Sequence, residues 1–342
     1  MKVMTQEQVA RFNEQGYLVV RGLLEPVSDL KPVIDEYTQV LNERARAWKE
    51  AGEIHTDLPG PGFREHVLQL CAQPGFRRQH LAELDITLPH FPFSYIRETD
   101  EMHTGPEMFS LLRNRRLLDF MEGLLGPEIR SSPNQHCRIK LPDRLLENAN
   151  TFQAQRGETI YSATLWHQDM HTQMTQSDAT EVVTVWMPLT RVREEDGCLL
   201  VVPGGHQQGL LPWPIPQEMR TELSRRSLPL EADPGDAVLL HKRIPHASLP
   251  NRSGAVRWSL DFRYFPAHQP TDRPWFPGFL ARSRATPEKE LREPARWAEL
   301  WKRARTRMAR SGQPVPGRRE FALLVANALI DRWAQETPAE EA

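Results

Sequence analysis

The feature that most constrains the fold of this chain is a series of short β-like runs between residues 128 and 268. The runs are HCRIKL, YSATLWH, EVVTVWMPL, CLLVVPG, DAVLLH and VRWSLDFRYF. Between them lie REEDG, PGGH, DPGD and NRSG, which are rich in the residues that form tight turns. Helical periodicity is nearly absent here, which favours an antiparallel sandwich or barrel over alternating strands and helices.

Helical patterns precede the β-rich stretch. Thr5 and Gln8 have the spacing of a capping box for a helix that ends at Gly16, and Pro26 opens a second, longer helix. MFSLLRNRRLLDFMEGLLG is predicted to form one amphipathic helix that ends at Gly126. Prolines interrupt the stretch from 54 to 106, and we assign it no architecture.

Helical patterns also follow the β-rich stretch, in KELREPARWAELWKRARTRMARS and RREFALLVANALIDRWAQE. We therefore predict one domain of the α+β class with a mainly β core. Its expected parts are a mostly helical N-terminal part at 1–127, a core at 128–268 with a mobile lid at 141–160, a helical extension at 269–335 and a frayed tail at 336–342.

Charge and composition exclude several classes of partner. The formal net charge of -2, with both signs interspersed, lacks the basic surplus that binds nucleic acid. No apolar run approaches the roughly 18 residues that span a bilayer, and no secretory leader is visible. The 3 cysteines are far apart and odd in number, which fits a reducing compartment. We expect a cytoplasmic protein that acts on a small molecule and is a monomer or homodimer.

The stretch SATLWHQDMHTQ suggests a metal site. His167 and Asp169 are two residues apart, so on a strand their side chains start from the same face and can converge on one cation. Two histidines and one carboxylate form the arrangement that leaves open positions on non-haem Fe(II). The pair alone is weak evidence in a chain with 12 histidines, because a solvated turn would have the same spacing.

A third ligand and an anion-binding arginine follow far downstream. His246 comes after an apolar strand and a turn, and Arg257 begins the next strand, where its planar guanidinium could bind a carboxylate. His241 is the alternative to His246, and Arg263 is the alternative to Arg257 on the same strand face. His206, in PGGH, is expected to stabilise a turn.

These motifs together resemble the phytanoyl-CoA dioxygenase family of Fe(II)- and 2-oxoglutarate-dependent oxygenases. The match is carried by WHQDMH, by VWMPLTRVREEDGCLLVVPGGH, by the block from GDAVLLH through HAS to the arginine, and by the opening FNEQGYLVVRGLL. It covers roughly residues 5 to 50 and 128 to 265. The fold expected from it is a double-stranded β-helix, a jelly-roll or cupin-like barrel, flanked by N-terminal and C-terminal helices.

The resemblance implies roles for individual residues. It implies His167, Asp169 and His246 as iron ligands, and Arg257 as the partner of the distal carboxylate of 2-oxoglutarate. The positions of three further residues resemble those that the family uses around the cosubstrate: Ser248, Lys140 and, as a pocket wall, Trp186. The reaction implied consumes O2 and releases succinate and CO2.

Three further residues are candidates for contact with the substrate. Arg156, Tyr161 and His171 are candidate substrate contacts by their nearness to the site or lid. An aspartate at 169, where a small residue would admit a halide ligand, favours hydroxylation over halogenation. Two alternatives stay open: a non-catalytic metal-binding jelly-roll, and a cupin-type enzyme that is independent of 2-oxoglutarate.

Overall fold

The computed structural model describes residues 3–88, 94–147 and 163–318. The helices are α1 Gln6–Gln15, α2 Lys31–Glu50, α3 Phe63–Cys71, α4 Arg78–Ala82, α5 Pro106–Leu112, α6 Arg115–Leu125, α7 Asp143–Glu147, α8 Gln217–Arg226 and α9 Pro294–Ser311. The strands are β1 Tyr17–Val20, β2 Glu128–Ser131, β3 His136–Lys140, β4 Val183–Pro188, β5 Leu199–Val201, β6 Leu228–Leu230, β7 Ala237–His241, β8 His246–Ser248, β9 Arg257–Pro266 and β10 Phe279–Ser283.

The strands form two antiparallel sheets. The larger has the order β1-β7-β4-β9-β2-β10, and β3 also pairs with β9. The smaller has the order β6-β5-β8. Apolar side chains from both sheets, among them Val201 of β5 and Val238 of β7, share one buried cluster. The sheets therefore pack together on one core.

Strand β9 shows how the sequence separates the two faces of the larger sheet. Arg257, Asp261 and Arg263 alternate along the strand and line one cavity, while Trp258 and Phe262 point to the opposite face and join the largest hydrophobic cluster. This is the period of two that a strand imposes. One face of β9 carries charge, and the other carries the main core.

The N-terminal helices cover that hydrophobic face. Tyr37 of α2 and Phe63 of α3 pack on Trp258 of β9, with ring centroids 5.3 and 4.0 Å away. Helix α3 lies in the stretch for which the sequence indicated no architecture, and it buries Val67 and Leu70 as well. The helices thus pack against the hydrophobic face of the larger sheet, and the opposite, polar face lines the cavity.

The prediction of a single helix around residues 108–126 is wrong, because the structure has two helices there, α5 and α6. The break falls at Arg113 and Asn114, where the Asn114 side chain accepts a hydrogen bond from the backbone N–H of Leu117 at 3.2 Å. Asparagine is a favoured N-cap because its side chain satisfies an N–H that has no partner within the helix. The apolar periodicity of the sequence continues across Arg113 and Asn114, so it does not indicate the break.

Replacing Asn114 by alanine is expected to lower the free energy of unfolding by about 1 kcal/mol, because the first turn of α6 loses its cap. Urea denaturation followed by circular dichroism measures the change. Asn114→Ser retains a capping oxygen and serves as the control. Equal stability of the alanine variant and the parent would contradict the capping role.

Other boundaries differ from the sequence-based expectations. Helix α8 lies within the stretch expected to be almost free of helix, and β10 pairs with β2 inside the expected helical extension. The described part of YSATLWH contributes one isolated bridge, from His167 to His246, instead of a regular strand. Of the expected lid at 141–160, the structure describes only residues 141–147, which include α7. The second C-terminal helix pattern lies outside the described residues.

Two local predictions at the N-terminus, the capping box of α1 and the helical start at Pro26, are confirmed. The Thr5–Gln8 capping box is formed at the start of α1, and Gly16 ends that helix with φ +76°. Pro26 begins a helical turn, Pro26–Leu30, that continues into α2. Within the described residues, no helix has the length and apolar character needed to cross a membrane.

Candidate metal and cosubstrate site

Two backbone segments bring His167, Asp169 and His246 together. His167 and His246 exchange backbone hydrogen bonds of 3.0 and 2.9 Å, which places β8 beside the WHQDMH segment. Asp169 then begins a short 3-10 turn, Asp169–Thr172. The local pair and the distant histidine therefore meet as the sequence spacing predicted, with a bridge and a turn in place of a strand end.

The three side chains offer one ligand atom each to a common point. These atoms lie within 4.8 Å of one another. Both histidine Nε2 atoms are 3.9 Å from Oδ1 of Asp169, and the two imidazole rings have centroids 4.1 Å apart. Asp169 and His246 are buried and His167 is half-buried, so a bound ion would be largely enclosed.

The hydrogen bonds of the two imidazoles favour the tautomer that a metal requires. Nδ1 of His167 lies 2.8 Å from the carbonyl oxygen of Leu165, and Nδ1 of His246 lies 3.0 Å from that of Ile244. A carbonyl only accepts, so each Nδ1 carries the hydrogen and each Nε2 presents a lone pair. Burial and the neighbouring His246 lower the pKa of His167 to about 3, which keeps its ring neutral. This donor set fits a divalent cation with open positions.

Asp169 is held by two other side chains. Its Oδ1 accepts a hydrogen bond from Nη2 of Arg263 at 2.8 Å, and its Oδ2 accepts one from the Thr184 hydroxyl at 2.5 Å. Burial would raise the pKa of this carboxyl, but the Arg263 guanidinium holds it well below its ordinary range. Asp169 is therefore an oriented, ionised carboxylate before any ion binds.

The three candidate metal ligands line a cavity that opens to solvent. Arg257 also lines it, together with Lys140 and Trp186. Arg257 is 4% exposed, and no carboxylate of a described residue lies within ion-pair distance of it. Its Nη1 donates to the Ser259 hydroxyl at 2.7 Å, its Nε has no partner among the described residues, and its guanidinium lies 5.8 Å from the Trp186 ring centroid. A buried cation without an ion-pair partner is costly, so this end of the cavity is suited to an anion.

Lys140 and Ser248 are linked beside Arg257. The Lys140 ammonium donates to the Ser248 hydroxyl at 2.7 Å, to the Leu249 carbonyl at 2.6 Å and to the Gly197 carbonyl at 3.3 Å. All three of its N–H groups are thereby used. Burial and the nearby Arg257 lower the pKa of Lys140 well below its ordinary value. Lys140 therefore orients Ser248, whose own hydroxyl hydrogen remains available.

The structure does not bring every candidate residue to the cavity. His171 is buried with Nε2 2.9 Å from the Leu211 carbonyl and Nδ1 accepting from the Gln168 backbone at 3.2 Å, so both ring nitrogens have protein partners. His241, the alternative ligand, packs on His206, which bonds the Asn13 carbonyl. The proposed substrate contacts Arg156 and Tyr161 lie outside the described residues.

Sequence reasoning missed the support of Asp169. The sequence indicates Arg263 only as an alternative to Arg257, and it gives no signal for Thr184. Thr184 of β4 lies opposite Arg263 of β9 in the sheet register, so the two side chains reach the carboxylate from adjacent strands. The alternation along β9 did place Arg257 and Arg263 on one face; only the three-dimensional position of Asp169 separates their roles.

Comparison with known proteins agrees with this arrangement. The family model of phytanoyl-CoA dioxygenase (PhyH) matches residues 12–259. The phytanoyl-CoA dioxygenase domain-containing protein 1 of Danio rerio is 25% identical over 276 residues, which cover 77% of this chain and 90% of that protein. A probable phytanoyl-CoA dioxygenase of Caenorhabditis elegans is 29% identical over 222 residues, or 59% of this chain and 66% of that protein.

Among solved structures, the apo form of the non-haem monooxygenase ThoJ superposes with a TM-score of 0.51 at 16% sequence identity. The superposition covers 89% of this chain and 99% of that one. At this identity the likeness shows a shared fold. The match of the family model spans both the β-rich stretch and most of the N-terminal helices.

Proposed function

The chain belongs to the phytanoyl-CoA dioxygenase family of Fe(II)- and 2-oxoglutarate-dependent enzymes, and we propose that it hydroxylates a C–H bond of a small-molecule metabolite or natural product, with release of succinate and CO2. One observation carries the proposal: a two-histidine, one-carboxylate cluster and the buried, unpaired Arg257 face the same cavity. A metal alone does not require such an arginine, whereas a dicarboxylate cosubstrate does.

We take the two sheets to be the two walls of a double-stranded β-helix, within one oxygenase domain. His246 lies on the smaller sheet, while Asp169 is held by Thr184 and Arg263 of the larger one. The site thus lies between the walls. Because helices α2 and α3 pack against the back of the larger sheet, the helical segments belong to the same unit.

The metal ligands in this proposal are His167, Asp169 and His246. Fe(II) held there supplies the activation of O2 that oxidation of an unactivated C–H bond needs. The chain's own contribution is to present two neutral imidazoles and one ionised carboxylate in a fixed arrangement. The carbonyls of Leu165 and Ile244 fix the imidazoles, and Arg263 with Thr184 fixes the carboxylate.

The cosubstrate end is formed by Arg257 and its neighbours. Arg257 binds the distal carboxylate of 2-oxoglutarate by charge-assisted hydrogen bonds, and the Ser248 hydroxyl, oriented by Lys140, is the adjacent donor. Trp186 forms the wall against which the guanidinium rests.

The proposal is tested by incubating the purified protein with Fe(II), 2-oxoglutarate and O2 and measuring succinate. We expect slow succinate formation without substrate, and none when either Fe(II) or O2 is withheld. Bound iron with no succinate and no affinity for 2-oxoglutarate would instead favour a cupin-type protein that does not use this cosubstrate.

Replacing Arg257 by glutamine is expected to weaken 2-oxoglutarate binding by about 10–100-fold, because a charge-assisted hydrogen bond contributes about 1.5–3 kcal/mol. Metal affinity should be unchanged, since Arg257 touches none of the three ligands. Calorimetric titrations with Fe(II) and with 2-oxoglutarate separate the two effects. Arg284→Gln, on an exposed side chain, is the control. Parallel loss of both affinities in the Arg257 variant would indicate misfolding instead of a cosubstrate contact.

A further inference from the structure

The buried arginines fall into two groups. Three of the five among the described residues form ion pairs: Arg263 with Asp169, Arg282 with Asp119, and Arg318 with Asp178. The other two, Arg257 and Arg273, have no carboxylate of a described residue within ion-pair distance. Arg257 is explained by the proposed cosubstrate. Arg273 is not one of the residues that line the cavity.

Arg273 is nearly without hydrogen bonds. Its side chain is buried, at 3% exposure, and makes one hydrogen bond to a described residue, from Nη2 to the Thr172 carbonyl at 3.3 Å. Nε and Nη1 are buried and have no hydrogen-bond partner within residues 3–88, 94–147 and 163–318. Burial lowers the pKa of Arg273 to about 10, which leaves it charged near neutral pH. A buried guanidinium with two unsatisfied nitrogens indicates a missing partner.

The residues beside Arg273 have the same deficit. Gln173 is fully buried, and neither Nε2 nor Oε1 of its amide has a partner in the part of the chain that the structure describes. Asp272 uses Oδ1 to accept from the Ser132 hydroxyl at 2.8 Å, while its Oδ2 has no partner among the same residues. The cluster of Gln173, Asp272 and Arg273 therefore offers donors and acceptors that the described residues leave unused.

Hydrogen bonds connect this cluster to the metal ligands. Thr172, whose carbonyl binds Arg273, ends the 3-10 turn that Asp169 begins, and its hydroxyl donates to the Asp169 carbonyl at 3.0 Å. Arg263 bridges the Asp169 carboxylate and the Asn134 carbonyl, the latter at 2.8 Å. The Asn134 amide in turn reaches the Thr172 hydroxyl at 3.5 Å. The cluster thus lies one helical turn from the metal centre.

We propose that Gln173, Asp272 and Arg273 form a substrate subsite that binds a carboxylate together with an adjacent hydroxyl or amine. Arg273 and the Gln173 amide nitrogen bind the carboxylate, and Asp272 with the Gln173 amide oxygen accepts from the hydroxyl or amine. A single guanidinium matches one negative charge better than a dianionic phosphate. The subsite rests on the proposed function, because it supplies the substrate to that metal centre.

The subsite predicts a polar acid as substrate in place of an unbranched or branched hydrocarbon acyl chain. An apolar group placed here would leave the buried Arg273 and Asp272 without partners, which disfavours it strongly. Ordered water is the competing occupant of the same atoms. Water would satisfy the cluster without any preference between ligands, so selectivity distinguishes the two.

The test uses Fe(II)-loaded protein saturated with 2-oxoglutarate under anaerobic conditions. A panel of small α-hydroxy and α-amino acids, each paired with its primary amide, is titrated by calorimetry. We expect at least one acid to bind about tenfold more tightly than its amide, as a charge-assisted hydrogen bond requires. In Arg273→Gln this ratio should fall to near one. Any binding of the acids directly to iron persists in the variant and cancels in the comparison.

Two further variants make the test independent of folding defects. Gln173→Met removes a side-chain amide that has no partner among the described residues. It should therefore leave the melting temperature unchanged and weaken the binding of the acids. Arg310→Gln alters an exposed arginine and should change neither. An acid-to-amide ratio near one in the parent protein, or a ratio unchanged in Arg273→Gln, would overturn the subsite and leave water as the occupant.

The same titrations separate this inference from the proposed function. If 2-oxoglutarate binds but no acid is preferred, the subsite is wrong and the function stands. If 2-oxoglutarate does not bind, the function fails, and the acid-to-amide ratio measured on the metal-loaded protein still decides the subsite.

Discussion

Replacing His246 by alanine is expected to abolish stable Fe(II) binding and, with it, succinate formation. His246 supplies one of three protein ligand atoms, and its loss leaves only His167 and Asp169. Replacing a residue that merely orients a ligand typically costs about 10–100-fold in metal affinity, so removal of the ligand itself should exceed that range. The variant should keep its fold, because the imidazole's other nitrogen only bonds the local Ile244 carbonyl.

The matched control is His241→Ala. His241, the alternative ligand by sequence, ends β7 in the other sheet and packs on His206. Metal titration monitored by calorimetry should give parent-like affinity for this variant. Retained iron affinity in His246→Ala, or its loss in His241→Ala, would contradict the assignment of the third ligand.

Replacing Arg263 by methionine is expected to have two linked effects. Asp169 becomes a buried carboxylate without its charged partner, and breaking such a pair typically costs about 3–5 kcal/mol of stability. The carboxylate also loses the hydrogen bond that fixes Oδ1, so metal affinity should fall by about 10–100-fold. Chemical denaturation and metal titration measure the two quantities separately.

Metal should partly reverse the instability of Arg263→Met. A divalent cation provides the missing positive charge beside Asp169 and binds only the folded protein, so its addition should stabilise the variant in proportion to its occupancy. Arg263→Lys keeps the charge without the planar fork and should lie between the variant and the parent. A fully stable Arg263→Met variant with parent-like metal affinity would show that Arg263 does not support Asp169.

The three candidate metal ligands could be predicted from sequence because two of them are close together in the chain and the third lies in a recognisable motif downstream. His167 and Asp169 are close in the chain, and His246 with Arg257 follows in a recognisable strand and turn pattern. The structure brings the three ligand atoms together as expected. The choice between Arg257 and Arg263 required the fold, since both lie on the cavity face of β9 and differ only in which of them meets Asp169.

The fold was predictable where periodicity was strong and failed at boundaries. The alternation along β9 and the capping box of α1 were correctly predicted. The break at Asn114 was missed because the apolar pattern of α5 and α6 is continuous, although one side-chain cap interrupts the helix. Strand β10 was missed because its pairing partner, β2, lies far away in the chain. Such long-range pairing is not encoded in local propensity.

The unpaired buried arginines connect the site to what the protein binds. The chain compensates the charges of Arg263, Arg282 and Arg318 internally. Among the described residues it offers no ion-pair partner to Arg257, which lines the cavity, or to Arg273, which is not one of the residues that line it. We propose that Arg257 binds the cosubstrate and that Arg273 binds the substrate.

Anaerobic calorimetric titration of 2-oxoglutarate into the protein, with and without Fe(II), tests the proposed cosubstrate site. We expect one molecule bound per chain, with markedly higher affinity when Fe(II) occupies the His167, Asp169 and His246 centre and weaker binding through Arg257 when it does not. Absence of 2-oxoglutarate binding to the iron-loaded protein would show that the chain does not use this cosubstrate.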